Sequence, residues 1–386
     1  MKTLGREILA VGAVIADLVC RVPRLPASGE GVVANEVRAA VGGCAFNAAN
    51  VLRQLGAPYK LFAPLGQGVF AGFVERDLAA RGMTALRVPD GRGNDGAVYD
   101  NSGCVCFVEP GGERTMLTLP GIDRHFDASW FEAVDAARFS CGFASGYEVE
   151  GPGGDAIVGF FEAHPEILLY YAPGPRVAHV DPQRTARINA LRPVWHLNDL
   201  EALTYTGRSS LEEAGFALAA ECGNAVVVTE GSRGAHLFEP AGEEGGACRV
   251  EASAARDVRG AEADAARRAE TRDVPGAEAH DVPGSEARGT REAEARDVPG
   301  AEASGTDARH LFVPTEPVDV ADTIGAGDAH LGALVAARNA GRSWEEALAL
   351  ANRVAGAVCQ VSGGALDDES FRRLGALPHA AGEGAR

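Results

Sequence analysis

The residues best suited to chemistry lie in "DTIGAGDA", Asp322–Ala329, which runs into the helix-like "HLGALVAARNAG". Gly325, Ala326 and Gly327 are small residues at a helix start. There the free backbone N–H groups and the positive end of the helix dipole can hold a developing anion. Asp328 stands beside them, and a carboxylate repels that same anion. Phosphoryl transfer reconciles the two: the amides steady phosphoryl oxygens while the carboxylate takes the proton of the attacking hydroxyl. In isolation the pattern also describes an acid capping a helix after a glycine turn. The only lysines, Lys2 and Lys60, follow no glycine-rich loop, so a G-x-x-x-x-G-K-[ST] phosphate loop is absent.

Three further stretches carry polar residues in suggestive places. In "VGGCAFNAANVLRQLG", Gly42 and Gly43 permit close backbone approach to a ligand, and Asn47 offers a donor and an acceptor for a vicinal diol. In "VWHLNDLEALTYTG", Asn198 and Glu201 share one face of a helix that begins at a strand end. That spacing suits hydrated Mg²⁺ and phosphate oxygens, and equally an N-terminal cap with a first-turn acid. In "VVVTEGSRGAHLF", Thr229 and Gly231 end a buried strand, where open α/β sheets bind ligands.

The elements that must position these groups alternate along the chain. "EILAVGAVIADLV" reads as a strand, "AFNAANVLRQLG" as a helix stopped at Gly56, and "YKLFAPLG" as a strand before the helix "GFVERDLAARG". "CVCFVEPGGERTMLTL" is a β-hairpin turning at Pro110–Gly112. Strands spaced by helices then resume, implying right-handed βαβ crossovers and a mostly parallel sheet. Residues 242–309 interrupt the pattern with near-copies of "RDVPGAEA", rich in Ala, Arg, Glu and Gly. So few large apolar residues cannot repay the entropy of ordering, and the stretch reads as a disordered insertion.

Composition narrows the partners. A formal charge of −18 argues against nucleic-acid binding, which needs clustered cations. No segment approaches the length of a membrane span, and the N-terminus reads as a buried strand rather than a signal peptide. The eight cysteines are scattered without a CxxC pair, which fits a reduced, cytoplasmic setting.

Taken in order, "AVIADL", "VGGCAFNAANVLRQLG", "NDLE", "VVVTEGSRGA" and "DTIGAGDAHLGALVAA" resemble the ribokinase-like (pfkB) carbohydrate kinases over nearly the whole chain outside the insertion. "LGQGVF" and "EPGGERTML" resemble a branch of sugar kinases within that family. The resemblance implies one three-layer α/β/α kinase domain over residues 1–386, with a small β-lid from segments near 17–40 and 96–119. It implies an ATP- and Mg²⁺-dependent kinase acting on a hydroxymethyl group of a sugar. Matched by position, Asp328 becomes the general base and Gly325, Ala326 and Gly327 the anion hole. Asp17, Gly42, Gly43 and Asn47 hold substrate hydroxyls. Asn198, Thr229, Gly231, Thr323 and Asn352 serve the nucleotide, Glu201 serves Mg²⁺ through water, and Asp322 helps bind K⁺. Exposed lid strands could also pair across a homodimer. The chain departs from the family pattern at Ala172, where an acid is common, and at Gln67–Gly68, which replaces a Gly-Asp-Asp pattern. Arg114 and Glu148 are read as substrate contacts or, alternatively, as a hairpin surface ion and a strand-end acid. A nucleoside kinase is the alternative enzyme, with Phe46 and Phe107 as stacking candidates or core residues. A non-catalytic sugar-binding regulator on the same fold is the alternative outside enzymes.

Overall fold

Successive side chains of a strand point to opposite faces, so a strand apolar at every position needs cover on both. The first strand, "EILAV", is such a case: Ile8, Leu9 and Ala10 are all fully buried. The computed structural model describes residues 6–111, 113–241, 308–361 and 363–374, and the expected insertion lies almost wholly outside them.

The N-terminal part contains β1 (Glu7–Val11), β2 (Ile15–Arg21), β3 (Glu36–Gly42), α1 (Cys44–Gln54), β4 (Tyr59–Phe62), β5 (Pro64–Leu65) and α2 (Val69–Ala80). Then come β6 (Leu86–Arg87), β7 (Gly103–Val108), β8 (Arg114–Leu119), β9 (Phe139–Ser145), α3 (Gly146–Glu150) and α4 (Gly154–Ala163). Next are β10 (Leu168–Ala172), α5 (Pro182–Ala190), β11 (Val194–Asn198), α6 (Asp199–Thr206), α7 (Leu211–Cys222), β12 (Val226–Thr229) and β13 (Gly234–Glu239). Past residue 307 lie β14 (Arg309–Pro314), α8 (Ala326–Asn339), α9 (Trp344–Cys359) and α10 (Asp368–Arg373).

Eight strands form the central sheet in the order β14-β13-β12-β11-β10-β9-β1-β4. Pairing is parallel from β12 to β4 and antiparallel at β12/β13 and β13/β14. The period of two divides the core between the faces. Ile8, Phe143 and Val227 pack with Leu52, Leu334 and Leu348 of α1, α8 and α9. Leu9, Tyr171 and Val228 pack with Ile157, Phe161 and Leu218 of α4 and α7. Each such side chain contributes roughly 1.5–3 kcal/mol on burial, so both helical layers are fastened firmly to the sheet. The result is the expected three-layer α/β/α arrangement.

A second sheet, β3-β2-β7-β8, is built from the two segments expected to make a lid. Its outer strands are largely exposed, and β7 and β8 make the expected antiparallel hairpin. At "LGQG" the structure explains the departure locally. Gly68 starts α2 without a side-chain cap, and the Asp100 carboxylate accepts instead from Phe70 N at 3.0 Å and Ala71 N at 2.7 Å. A Cβ at position 68 would stand 2.2 Å from that carboxylate. Gln67–Gly68 is thus a packing feature. No helix among the described residues is long and apolar enough to cross a membrane.

Candidate active site

The anion-binding turn forms as its residue types require. Gly325 is the N-cap of α8 with φ 72°, in the left-handed region glycine favours. A Cβ there would meet Gly364 O at 2.3 Å, so the turn is seated directly on the Gly363–Gly364 backbone. The first-turn amides of a helix have no partners within it, and Gly325, Gly327 and Asp328 all line one cavity of about 250 Å³.

Asp328 is held from α1. Asn47 Nδ2 donates to Asp328 Oδ2 at 2.9 Å across 281 residues of chain. Glycine makes this meeting possible, because a Cβ on Gly332 would lie 2.6 Å from Ala48 O; α1 and α8 therefore touch backbone to backbone. Burial pushes the Asp328 carboxyl above its ordinary range, against hydrogen bonds from Asn47 and Cys44 that favour the charged form. Asn47 Oδ1 is buried and has no partner, an acceptor that a ligand hydroxyl can satisfy.

Gly43 caps α1 at φ 106°, and a Cβ there would lie 2.7 Å from Ala13 O. Asp17 comes from the lid strand β2, opposite Ala40 of β3. Burial pushes its carboxyl up to about 6, and a Cβ on Gly42 would collide with its Oδ2. Asp17, Gly42, Gly43 and Asn47 therefore form one group at the base of the lid, joined to Asp328 by the Asn47 amide.

The cavity is also lined by Asn198 and Thr229 at the C-terminal ends of β11 and β12, and by Glu201 in the first turn of α6. Asn198 and Glu201 make a reciprocal capping box: Asn198 Oδ1 accepts from Glu201 N at 2.8 Å, and Glu201 Oε2 from Asn198 N at 3.0 Å. The cap and the cavity lining thus coexist in one pair. Burial first, and the charge of Asp328 as a smaller contributor, raise the Glu201 carboxyl. No group of three or more His, Cys, Asp or Glu among the described residues is gathered to hold a metal ion. This donor set fits Mg²⁺ only as an outer-sphere partner, reached through the cation's own water. Ala172 lines the cavity at the end of β10, so no carboxylate stands there.

Several residues lie elsewhere than the sequence suggests. Asn352 is buried and absent from the cavity wall; its Nδ2 donates to Val313 O at 2.9 Å and its Oδ1 meets His330 Nε2 at 3.2 Å. It ties α9 to β14 and α8. Gly231 and Thr323 flank the cavity in sequence without lining it. Phe46 is completely buried in the core, and Phe107 lies on the lid face opposite Asp17 and Cys104, so neither offers a stacking surface. Asp322 is committed on both oxygens: Oδ1 to Arg114 Nη1 at 2.6 Å and Ile324 N at 2.9 Å, Oδ2 to Gly363 N at 3.0 Å. The Arg114 guanidinium thus already balances the charge that a K⁺ ion would otherwise meet. Arg114 is accordingly no surface ion of the hairpin.

Cys44, His196 and His330 escaped the sequence reading. Cys44 opens α1, lines the cavity and bonds to Asp328, with its thiol pushed well up by burial. His196, also lining the cavity, meets His330 at 2.9 Å, and burial holds both imidazoles neutral, His330 down to about 4. Because the Asn352 amide donates to Val313, its oxygen takes the His330 Nε2 proton and His330 Nδ1 accepts from His196. A polar residue inside the apolar runs "PVWHL" and "AHLGALVAA" was the available signal. Glu148 is buried just beyond, accepting from Ala13 N at 3.0 Å and bonded to Ser145.

A glycine-capped helix start stands beside a buried carboxylate, with a small β-sheet set on an α/β/α sandwich, and comparison with known proteins supplies the family. The pfkB family carbohydrate kinase model matches residues 6–143 and 297–370, and the chain belongs to that family. A relative in Escherichia coli K12, described as the uncharacterized sugar kinase YegV, is 28% identical over 362 residues, covering 94% of this chain and 91% of its own. A ribokinase from Thermotoga maritima shares the fold with a TM-score of 0.65 at 15% identity, covering 96% of this chain and 99% of its own. An Arabidopsis thaliana ribokinase solved with ribose and ATP gives a TM-score of 0.60 at 16% identity, covering 96% and 98%.

Proposed function

We propose that this protein transfers the γ-phosphoryl group of ATP to a hydroxymethyl group of a sugar or sugar-like substrate, with Asp328 as general base. The observation carrying this reading is the half-buried Asp328, steadied by Asn47 at the first turn of a glycine-capped helix. A carboxylate with its affinity for protons raised by burial is a better base than one in water. It takes the acceptor hydroxyl's proton as that oxygen attacks, and the Gly325 and Gly327 amides receive the charge on the transferred group, the Ala326 amide being bonded to Thr323 O at 3.3 Å and turned to the cavity only if that bond is released. Asp17 and Asn47 orient the acceptor through its other hydroxyls, the first as an ionised acceptor above pH of about 6. When bound, Mg²⁺ neutralises phosphate charge. Asn198 and Glu201 orient its water, and Thr229 borders the nucleotide. The lid excludes water that would otherwise compete as acceptor. Its exposed Val37 and Leu117, on the face opposite Asp17, support a homodimer through this sheet, which sedimentation velocity tests.

ATP turnover over a panel of pentoses, hexoses, ketoses and nucleosides tests the reading. One acceptor class is expected to show saturable turnover, with Asp328→Asn lowering kcat by about 10²–10⁴-fold. The acid limb of kcat is expected above the ordinary carboxylate range, because the base must be ionised and its proton is held more tightly here. Unchanged turnover in Asp328→Asn would overturn the assignment, and no turnover with any acceptor would favour a binding role.

A further inference from the structure

Arg114 begins β8, opposite Val108 of β7 in the lid hairpin. Its guanidinium reaches a carboxylate 208 residues away, at the entrance of the anion-binding turn. Asp322 is 8% exposed, so its charge is nearly withdrawn from water and requires a partner. Arg114 Nη1 supplies it at 2.6 Å. The same carboxylate organises the backbone on either side of the turn. Ile324 N fastens to Oδ1, and Gly363 N fastens to Oδ2. The next residue, Gly364, is the backbone on which Gly325 is seated, at a separation no side chain would tolerate. A continuous set of contacts thus leads from the lid through Asp322 to the floor of the turn. A cation at Asp322 would add a second positive charge beside the guanidinium, where three of the carboxylate's roughly four acceptor positions are already used.

We propose that Arg114 is a positioning residue that latches the lid to the anion-binding turn through Asp322, its fixed charge standing where a monovalent cation would otherwise be needed. The part concerning turnover rests on the kinase reading above; the latch itself does not. Opening the lid then withdraws the guanidinium and loosens the turn, so the amides are aligned only beneath a closed lid.

Two measurements on the full chain test this. In hydrogen exchange without ligands, Arg114→Gln is expected to speed exchange about ten-fold both in residues 103–119 and in 322–328. Asp322→Asn should do the same, the double variant no more than either, and Arg114→Lys less. In turnover assays, the unaltered protein should be indifferent to K⁺, Na⁺ or tetramethylammonium at equal ionic strength. Arg114→Gln should lose about 10–100-fold in kcat, with a smaller change in KM, and regain part of it in K⁺. Faster exchange confined to the hairpin would overturn the latch, as would additive effects of the two substitutions. Several-fold activation of the unaltered protein by K⁺ would overturn the charge replacement. Exchange reads out the latch whether or not any acceptor is phosphorylated, so its failure is distinguishable from failure of the kinase reading.

Discussion

At the residue scale, Glu148 shows how a buried acid serves the site without entering it. Its Oε1 holds Ala13 N, and Ala13 O in turn accepts from Phe46 N in the first turn of α1. Burial pushes the carboxyl up to about 8, so it is largely protonated at neutral pH. An acid whose folded pKa is raised binds more protons folded than unfolded, so its contribution to stability falls as pH rises from about 4.5 to 8. Glu148→Gln keeps both hydrogen bonds without the charge. Its melting temperature should match the unaltered protein near pH 5 and exceed it at pH 8. Glu148→Ala should lose about 1–3 kcal/mol near pH 5, having left Ala13 N unsatisfied, and less at pH 8, where the unaltered protein no longer has the acid's full contribution. Thermal melts across that range check the sign. The sequence showed this residue as a substrate contact or an acid at a strand end; its role is decided by depth, which one residue in "SGYEV" does not reveal.

At the scale of elements, legibility depends on the range of the interaction. The DTIGAGDA turn was readable because cap, glycine and acid are neighbours in sequence, and the sheet was readable because period-two burial repeats in every strand. Asn198–Glu201 was readable as a pair for the same reason, although cap and cavity could not be separated. The Asn47–Asp328 contact joins two local motifs and was expected only as membership of one site. The His196–His330 and Arg114–Asp322 contacts were not legible, since each depends on how distant elements pack. Nor were the ties of Asn352 to β14 and α8, since spacing does not say which face of α9 looks inward. The closeness of α1 and α8 belongs to this scale too. Gly332→Ala adds one methyl against Ala48 O, forcing the helices apart and Asn47 away from Asp328. It is expected to cut kcat by about 10²-fold although no cavity residue changes. A retained kcat, with circular dichroism confirming the fold, would show that the helices yield elsewhere.

At the scale of the whole molecule, residues 242–307 enter the chain between two strands that are already neighbours. β13 and β14 are antiparallel, with Glu239 opposite Arg309 at the entry. Antiparallel neighbours need no more than a two-residue turn. Replacing residues 242–307 with Asn-Gly should therefore preserve the fold and leave kcat within about two-fold, since only chain connectivity changes. Loss of activity in a well-folded protein would mean that the replaced residues serve the site.

The same strand pairing allows the chain to be divided. One fragment ending at residue 241 would carry Asp17, Asn47 and Glu201, and another beginning at 308 would carry the GAG turn and Asp328. Neither half holds a complete set of reacting groups. Coexpressed, they would reassemble along the β13–β14 ladder and the α1–α8 contact, and phosphorylation would report that two separate polypeptides had met.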